Sequence, residues 1–286
     1  MYGAAPAGSP RYHETRMSSG TSRRPGRKAY LLISLFALAL VLFPFLFWYY
    51  TWFGRKLSDS EIDQYFADAS KPRHAQHALV QLGERLSRHQ DVARWYSNVL
   101  QQAASTSLEL RQTSAWIMGQ DPHYAPFHAA LLTLLDDSQP MVRRNAALGL
   151  AAFGDSSARP ELTAMLRSFT IHAPTAGILK YRLKLGDYVN PGTLIARLGD
   201  FEVRSPVPGE VRDIDSRDGS SVKAGDPLAD LSADPGHVWE ALRALYLIGQ
   251  PPDLEDVRRY VGPVPGMPEP VAKQAAWTVE RIQSRR

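Results

Sequence analysis

The stretch DSQPMVRRNAALGLAAFGD, residues 137–155, decides how the rest of the chain is read. Its polar opening and Pro140 mark a helix start, because proline presets the helical φ and has no N–H to leave unbonded. Val142 and Arg143 follow, then a small-residue face of Ala146, Ala147, Leu150 and Ala151, and a Gly154-Asp155 stop. Upstream, PFHAALLTLLDD (126–137) reads as an apolar-striped helix that ends in the same turn. The unit is helix, short polar turn, helix, with small side chains where two helices approach. It recurs: Ala151 aligns with Gly119 of LRQTSAWIMGQD (110–121) and with Gly83 of RHAQHALVQLGE (73–84), at steps of 32 and 36 residues. Further units stand at VWEALRALYLIG (238–249) and VAKQAAWTVERI (271–282). A period of this size predicts a stacked array whose neighbours bury one continuous core. Trp95, Trp116, Trp239 and Trp277 lie in these helical units, the last three near corresponding positions, which predicts inter-helix core.

The register breaks once. Gly249 lies 98 residues beyond Ala151, and residues 169–232 supply the excess of 64, leaving an ordinary step of 34. LTAMLRS (162–168) is then a first helix and ADPGHVWEAL (233–242) opens its partner, so the extra segment replaces a turn inside one pair, where insertion costs little. The segment is itself doubled. APTAGILKYRLKLGDYVNPGTLIARL (173–198) matches SPVPGEVRDIDSRDGSSVKAGDPLADL (205–231). Gly177 pairs with Gly209, Gly186 with Gly219, Val189 with Val222, Gly192 with Gly225 and Ile195 with Leu228. Short alternating runs between Gly-Asp and Pro-Gly turns predict strands, and the repeated glycines predict turns at positive φ.

The helical unit resembles HEAT repeats, with 137–155 the most specific match. The tandem A-P-x-x-G, G-D-x-V-x-x-G pattern resembles the lipoyl/biotinyl domain family, the barrel-sandwich hybrid, and is similar to the core of membrane-fusion adaptors of secretion and efflux systems. That resemblance covers about 60 residues. Together the two imply a mainly α protein: a HEAT-like α-solenoid of about five helix pairs carrying an inserted all-β barrel-sandwich hybrid. In carrier members of the β family, the hairpin between the halves presents a lysine for lipoate or biotin. Here that hairpin is RLGDFEVRSP (197–206), and the segment's lysines, Lys180, Lys184 and Lys223, lie elsewhere. Secretion adaptors split the halves with a long helical hairpin at this junction, where this chain has only Gly199-Asp200. Lysostaphin-type zinc peptidases share the G-x-V-x-x-G turns but need H-x(3)-D and H-x-H, and His172 is the one histidine of the segment.

From Ala29 to Phe53 runs AYLLISLFALALVLFPFLFWYYTWF, without a charge, which predicts a helix able to cross a layer of about 30 Å. Trp48, Tyr49, Tyr50 and Trp52 gather at its far end, as interfacial rings do, and Pro44 predicts a kink. Bulky aromatics in place of a small-x-small site predict an uncleaved anchor. The tail before it holds Arg11, Arg16, Arg23, Arg24, Arg27 and Lys28 against Glu14, a net +5; the whole chain carries +4, which leaves −1 for the remainder. The bias predicts a disordered cytoplasmic tail (1–28), a transmembrane helix (29–53) and an extracytoplasmic body of repeats (57–168), β segment (169–232) and further repeats (233–286). A basic tail on a near-neutral body argues against a nucleic-acid-binding face.

Chemistry is sparse. No Cys is present, which removes thiolate catalysis, disulfides and iron–sulfur ligation. His74 and His77, at i, i+3, lack a third metal ligand; His123 and His128 flank a turn; and Asp213, Asp215 and Asp218 are misspaced for a calcium loop, with Ala224 at its closing position. The sequence therefore predicts no catalytic, cofactor-binding or metal residues. It predicts a non-enzymatic, single-pass scaffold at the periplasmic face of an inner membrane, binding protein partners of an envelope complex, with no nucleic acid or small-molecule substrate. An adaptor subunit of a transporter or secretion system is the alternative reading, and a biotin- or lipoyl-type carrier a third.

Overall fold

The computed structural model describes residues 27–51 and 55–285. Residues 1–26 of the basic tail and Trp52 of the aromatic cluster lie outside the described residues, as do the side chains of Trp48, Tyr49 and Tyr50. The chain divides at Arg55/Lys56 into two units. The first contains α1 (Arg27–Thr51), a helix that continues through Pro44. Its stretch Tyr30–Phe47 has a mean hydropathy of 2.6 and no buried residue, and is long and apolar enough to span a membrane.

The second unit contains ten helices among the described residues: α2 (Asp59–Ala67), α3 (Pro72–Ser87), α4 (Tyr96–Ala103), α5 (Leu108–Met118), α6 (Ala125–Leu134), α7 (Pro140–Ala152), α8 (Arg159–Ala164), α9 (Pro235–Ile248), α10 (Leu254–Arg258) and α11 (Glu269–Gln283). Local chemistry sets their starts. Ser58 and Glu61 form a capping box ahead of α2, Asp234 caps α9, and prolines open α3, α6, α7, α8, α9 and α11. Each even-numbered helix packs on the odd-numbered helix after it, and α3, α5, α7, α9 and α11 stack side by side. The core runs continuously between the layers, through Leu79, Leu82, Ile117, Phe127, Leu131 and Leu150.

Side-by-side stacking needs small residues, and the structure shows which. A Cβ on Gly119 would lie 2.7 Å from Gly149 Cα, so α5 and α7 touch through bare backbone. Arg–Asp pairs then tie one helix pair to the next. Arg111 Nε and Nη2 donate to Asp137 at 2.6 and 3.1 Å; Arg159 Nε and Nη2 reach Asp253 at 2.7 and 2.9 Å. Such bidentate pairs have the geometry in which an Arg–carboxylate contact counts.

Between α8 and α9 the chain makes eight strands: β1 (Phe169–His172), β2 (Gly177–Tyr181), β3 (Tyr188–Val189), β4 (Leu194–Leu198), β5 (Phe201–Arg204), β6 (Gly209–Ile214), β7 (Ser221–Val222) and β8 (Pro227–Leu231). They form two antiparallel sheets, ordered β1-β8-β6-β3 and β5-β4-β2-β7. Renumbering each strand by four turns one order into the other, so the sheets are pseudo-symmetric and each takes strands from both halves. The duplication therefore begins at FTIHAP (169–174) and FEVRSP (201–206), a few residues before the sequence match suggested. Its buried positions coincide: Ile171 with Val203, Leu179 with Val211, Val189 with Val222, Ile195 with Leu228 and Leu198 with Leu231.

The cross-half hydrogen bonds repeat as well. Gly186 N donates to Val211 O and Gly219 N to Leu179 O, both at 2.8 Å; Gly192 N donates to Ser205 O and Gly225 N to Ala173 O, both at 2.7 Å. These four glycines have φ between +80° and +89°, the region that favours glycine. Gly177 and Gly209 differ from expectation: neither has positive φ, and each is small because a strand crosses it. A Cβ on Gly209 would sit 2.5 Å from Ser232 O. The halves meet in a two-residue hairpin, Leu198 paired with Phe201, with Gly199 at φ +60° as its first central residue.

The helices flanking the insert stay together. α8 packs on α9, Arg167 pairs with Asp256 at 2.6 Å, and the Tyr260 hydroxyl donates to Leu166 O at 2.7 Å. The pair is interrupted in sequence and intact in space.

Candidate docking groove

α9 and α11 are amphipathic: each buries one face in the stack and leaves a ridge outside it. On α9, Leu242, Leu245 and Ile248 enter the core while Tyr246 and Leu247 do not; on α11, Val271, Ala275, Thr278 and Ile282 are buried while Trp277 points out. Leu247 is 55% and Trp277 56% exposed, high for side chains of this size. Thr278 fixes the spacing of the ridges: its hydroxyl donates to Leu242 O at 2.9 Å, from a fully buried position.

Between the ridges and α7 lies a groove of about 1000 Å³. Gly119, Ala151, Ala152 and Ala244 are small residues of its lining, and Leu148, Leu247 and Trp277 supply apolar bulk. Glu240, Arg243, Glu280 and Arg281 also line it, two charges of each sign. Arg243 lies 3.7 Å from Glu240, and the Arg281 guanidinium sits 5.8 Å from the centre of the Tyr246 ring. Arg285 donates to the carbonyls of Tyr246, Leu247 and Gly249, closing the carboxyl end of α9; burial and the nearby Arg281 charge lower its pKa. The side chains named here form no nucleophile–base pair. Aromatic and aliphatic surface with a mixed charged rim is chemistry for binding.

The expected placement of the tryptophans needs correction. Trp95 is buried, its Nε1 donating to Asp63 at 2.7 Å, and Trp239 is half-buried against the core. Trp116 and Trp277 are exposed. The Trp116 ring lies over Gly83, where an added Cβ would come within 2.1 Å of it. The small-residue signal was therefore genuine, but at Gly83 it makes room for a surface ring.

The histidines and aspartates noted in the sequence are dispersed. His74 stacks on Tyr65 at 4.3 Å and lies 3.5 Å from Asp68, with His77 on the same ring at 5.8 Å. His123 is exposed, whereas His128 Nε2 meets Asp155 at 2.7 Å. Asp218 accepts from Tyr181 N across the two halves, and Asp213 from the adjacent Ile214 N, each at 2.8 Å. Among the described residues, no three His, Cys, Asp or Glu side chains converge as metal ligands.

A polar cluster that the sequence did not announce sits at the root of the insert. Arg144, on α7 and almost fully buried, places Nη1 2.8 Å from His237 Nδ1 and Nε 3.9 Å from Glu161. Burial, and then the Arg144 charge, push the His237 pKa down to about 4, against the pull of Asp234. Only the fold brings residues 144, 161 and 237 together, so no local motif could mark them.

A family model of HEAT repeats matches residues 96–170, ending where β1 begins. An uncharacterized Escherichia coli protein, YqeB, is 41% identical over 61 residues, which is 21% of this chain. The match spans 11% of that relative's length.

Proposed function

We propose that this protein is a non-enzymatic, membrane-anchored scaffold that docks a helical segment of a partner protein in the groove between α7, α9 and α11. The carrying observation is the exposed pair Leu247 and Trp277 beside small lining residues and a rim of both charge signs. An amphipathic partner helix matches each part: apolar anchors at i, i+3 and i+4 over the small residues, charged flanks against Arg243, Glu240, Arg281 and Glu280. Stacked repeats supply such extended surfaces. The positive charge at and ahead of the start of α1 supports reading the body as periplasmic at an inner membrane, in reach of partners in an envelope complex.

A second reading is an adaptor subunit of a transporter or secretion system. It is favoured by the interleaved, pseudo-twofold sheets, which support reading 169–232 as a lipoyl/biotinyl-like barrel-sandwich hybrid. The Gly199-Asp200 hairpin offers no lysine for a lipoyl or biotinyl arm, and no helical hairpin leaves it.

Photo-crosslinking from a benzoylphenylalanine at position 284, at the groove's rim, tests the scaffold in native membranes. One dominant adduct that disappears with Trp277→Ala/Leu247→Ala supports it. Equal yield with and without those substitutions refutes the groove. Co-purification of that adduct with a pump or channel selects the adaptor reading. An alkaline phosphatase fusion at the carboxyl end is active if the body is periplasmic and inactive if the orientation is reversed.

A further inference from the structure

The two sheets of the insert have four edge strands, and these are unequal. β3 and β7 are two residues long, one of the ways proteins blunt an edge. β1 and β5 are four residues each, and they are counterparts in the doubled sequence. Among the described residues, β1 pairs only with β8 and β5 only with β4. In an antiparallel ladder alternate residues turn their N–H and C=O groups away from the partner strand. Among the described residues, the backbones of Phe169–His172 and Phe201–Arg204 make no hydrogen bonds outside those two ladders.

These open edges do not project separately. Both run along one groove of about 360 Å³, with Pro174 and Pro206 beside them. Phe201 is half exposed at its margin, and Glu202 bridges Arg197 and Arg204 next to it. A free strand edge asks for one kind of ligand, a polypeptide in the extended conformation, because only its main chain matches the alternating donors and acceptors. A second folded sandwich would have to bring its own edge into a groove walled by the other strand, whereas a lone segment can enter.

We infer that the β1/β5 groove is a second binding site, which takes an extended segment of a partner protein by strand addition to β5 or β1. This site is separate from the helical groove and does not depend on it. Its specificity would come from alternate side chains of the incoming strand, one set against Phe201 and Val203, the other facing the Glu202–arginine cluster.

The test pans a phage-displayed library of random twelve-residue peptides against the full chain in nanodiscs. Enriched peptides are then followed by hydrogen–deuterium exchange. The expected peptides alternate apolar and polar residues and slow exchange at least severalfold in 169–172 or 201–204. N-methylation of their alternate amides lowers affinity at least tenfold. Peptides that protect only the helices, or that bind equally well when N-methylated, overturn the inference, as does a library with no enrichment. Concentration-dependent protection of the same strands without peptide also overturns it, in favour of self-association.

Discussion

The Tyr188 hydroxyl, on β3 of the insert, donates to Asp234 Oδ2 at 2.6 Å, while Asp234 Oδ1 accepts from His237 N at 2.9 Å as the cap of α9. One carboxylate thus serves both parts of the body. Burial, and then the bond to Asp234 and its charge, push the Tyr188 pKa up to about 12, so the phenol remains a donor across the physiological range. Behind Asp234 stand His237, Arg144 and Glu161, which makes the root of the insert a continuous polar bridge.

Tyr188→Phe removes that bond and little else. The loss expected is about 1 kcal/mol, the net worth of one hydrogen bond, or slightly more because the acceptor is charged. Exchange mass spectrometry should show faster amide exchange at the start of α9 and in β3, with the stacked helices unaffected. A uniform change throughout the body would mean that the Tyr188–Asp234 bond does not act locally at this junction.

His237 sets an acid limit. In the fold its pKa is about 4, against 6.5 in the unfolded chain. Above pH 6.5 both states are neutral and nothing is lost. Between 6.5 and 4 the unfolded chain takes up a proton that the fold refuses, so stability falls with falling pH, by up to about 3 kcal/mol near pH 4. Urea midpoints measured from pH 7 to 4.5 should decline steadily, and His237→Gln should flatten that decline. Parallel slopes for the two proteins would remove His237 as the cause.

The glycines of the stack separate into two kinds. A Cβ at Gly149 would lie 2.9 Å from Leu131 Cδ1 and 3.1 Å from Gly119 Cα, both in the packed interior. Gly149→Val should therefore cost at least about 2 kcal/mol through overpacking. At Gly83→Ala the nearest atoms all belong to the exposed Trp116 ring, which can swing aside, and alanine favours the helix by up to about 1 kcal/mol. Thermal melts should show a large drop for the first substitution and almost none for the second.

Trp277 should matter for binding and not for folding. At 56% exposure its replacement by alanine is expected to shift stability by no more than about 0.5 kcal/mol. Crosslinking from the groove's rim should nevertheless fall at least tenfold, since exposed tryptophans at the centre of a docking surface carry much of its energy. A protein that melts early would show that Trp277 supports the stack instead.

Much of this architecture was legible in the chain. Pro140 and the Gly154-Asp155 stop bracket α7, the 98-residue step exposed an insertion, and the doubled Gly-Asp and Pro-Gly turns identified strands. Those signals are local: a proline, a glycine at positive φ or a two-residue alternation acts on its own neighbours. Three short elements were not readable, α2, α4 and α10, because nine, eight and five residues hold too few turns for a period to emerge. α8 also ends at Ala164, short of the expected 168.

Other features were settled only when the chain closed on itself. Helical spacing sorts apolar from polar positions, but a helix clasped by neighbours on two sides buries more than one stripe. Which aromatic is left outside then depends on the stacking angle, and Trp116 and Trp277 emerged while Trp95 sank. Strand pairing across the two halves, the meeting of Arg144 with His237 and the shared groove of β1 and β5 are likewise set by contacts tens of residues apart. By itself the sequence determined which of the longer segments are helix, which are strand and where the Gly and Pro turns fall, because those preferences act between near neighbours. The tertiary structure decided which faces and edges remain open, because exposure is what packing leaves uncovered.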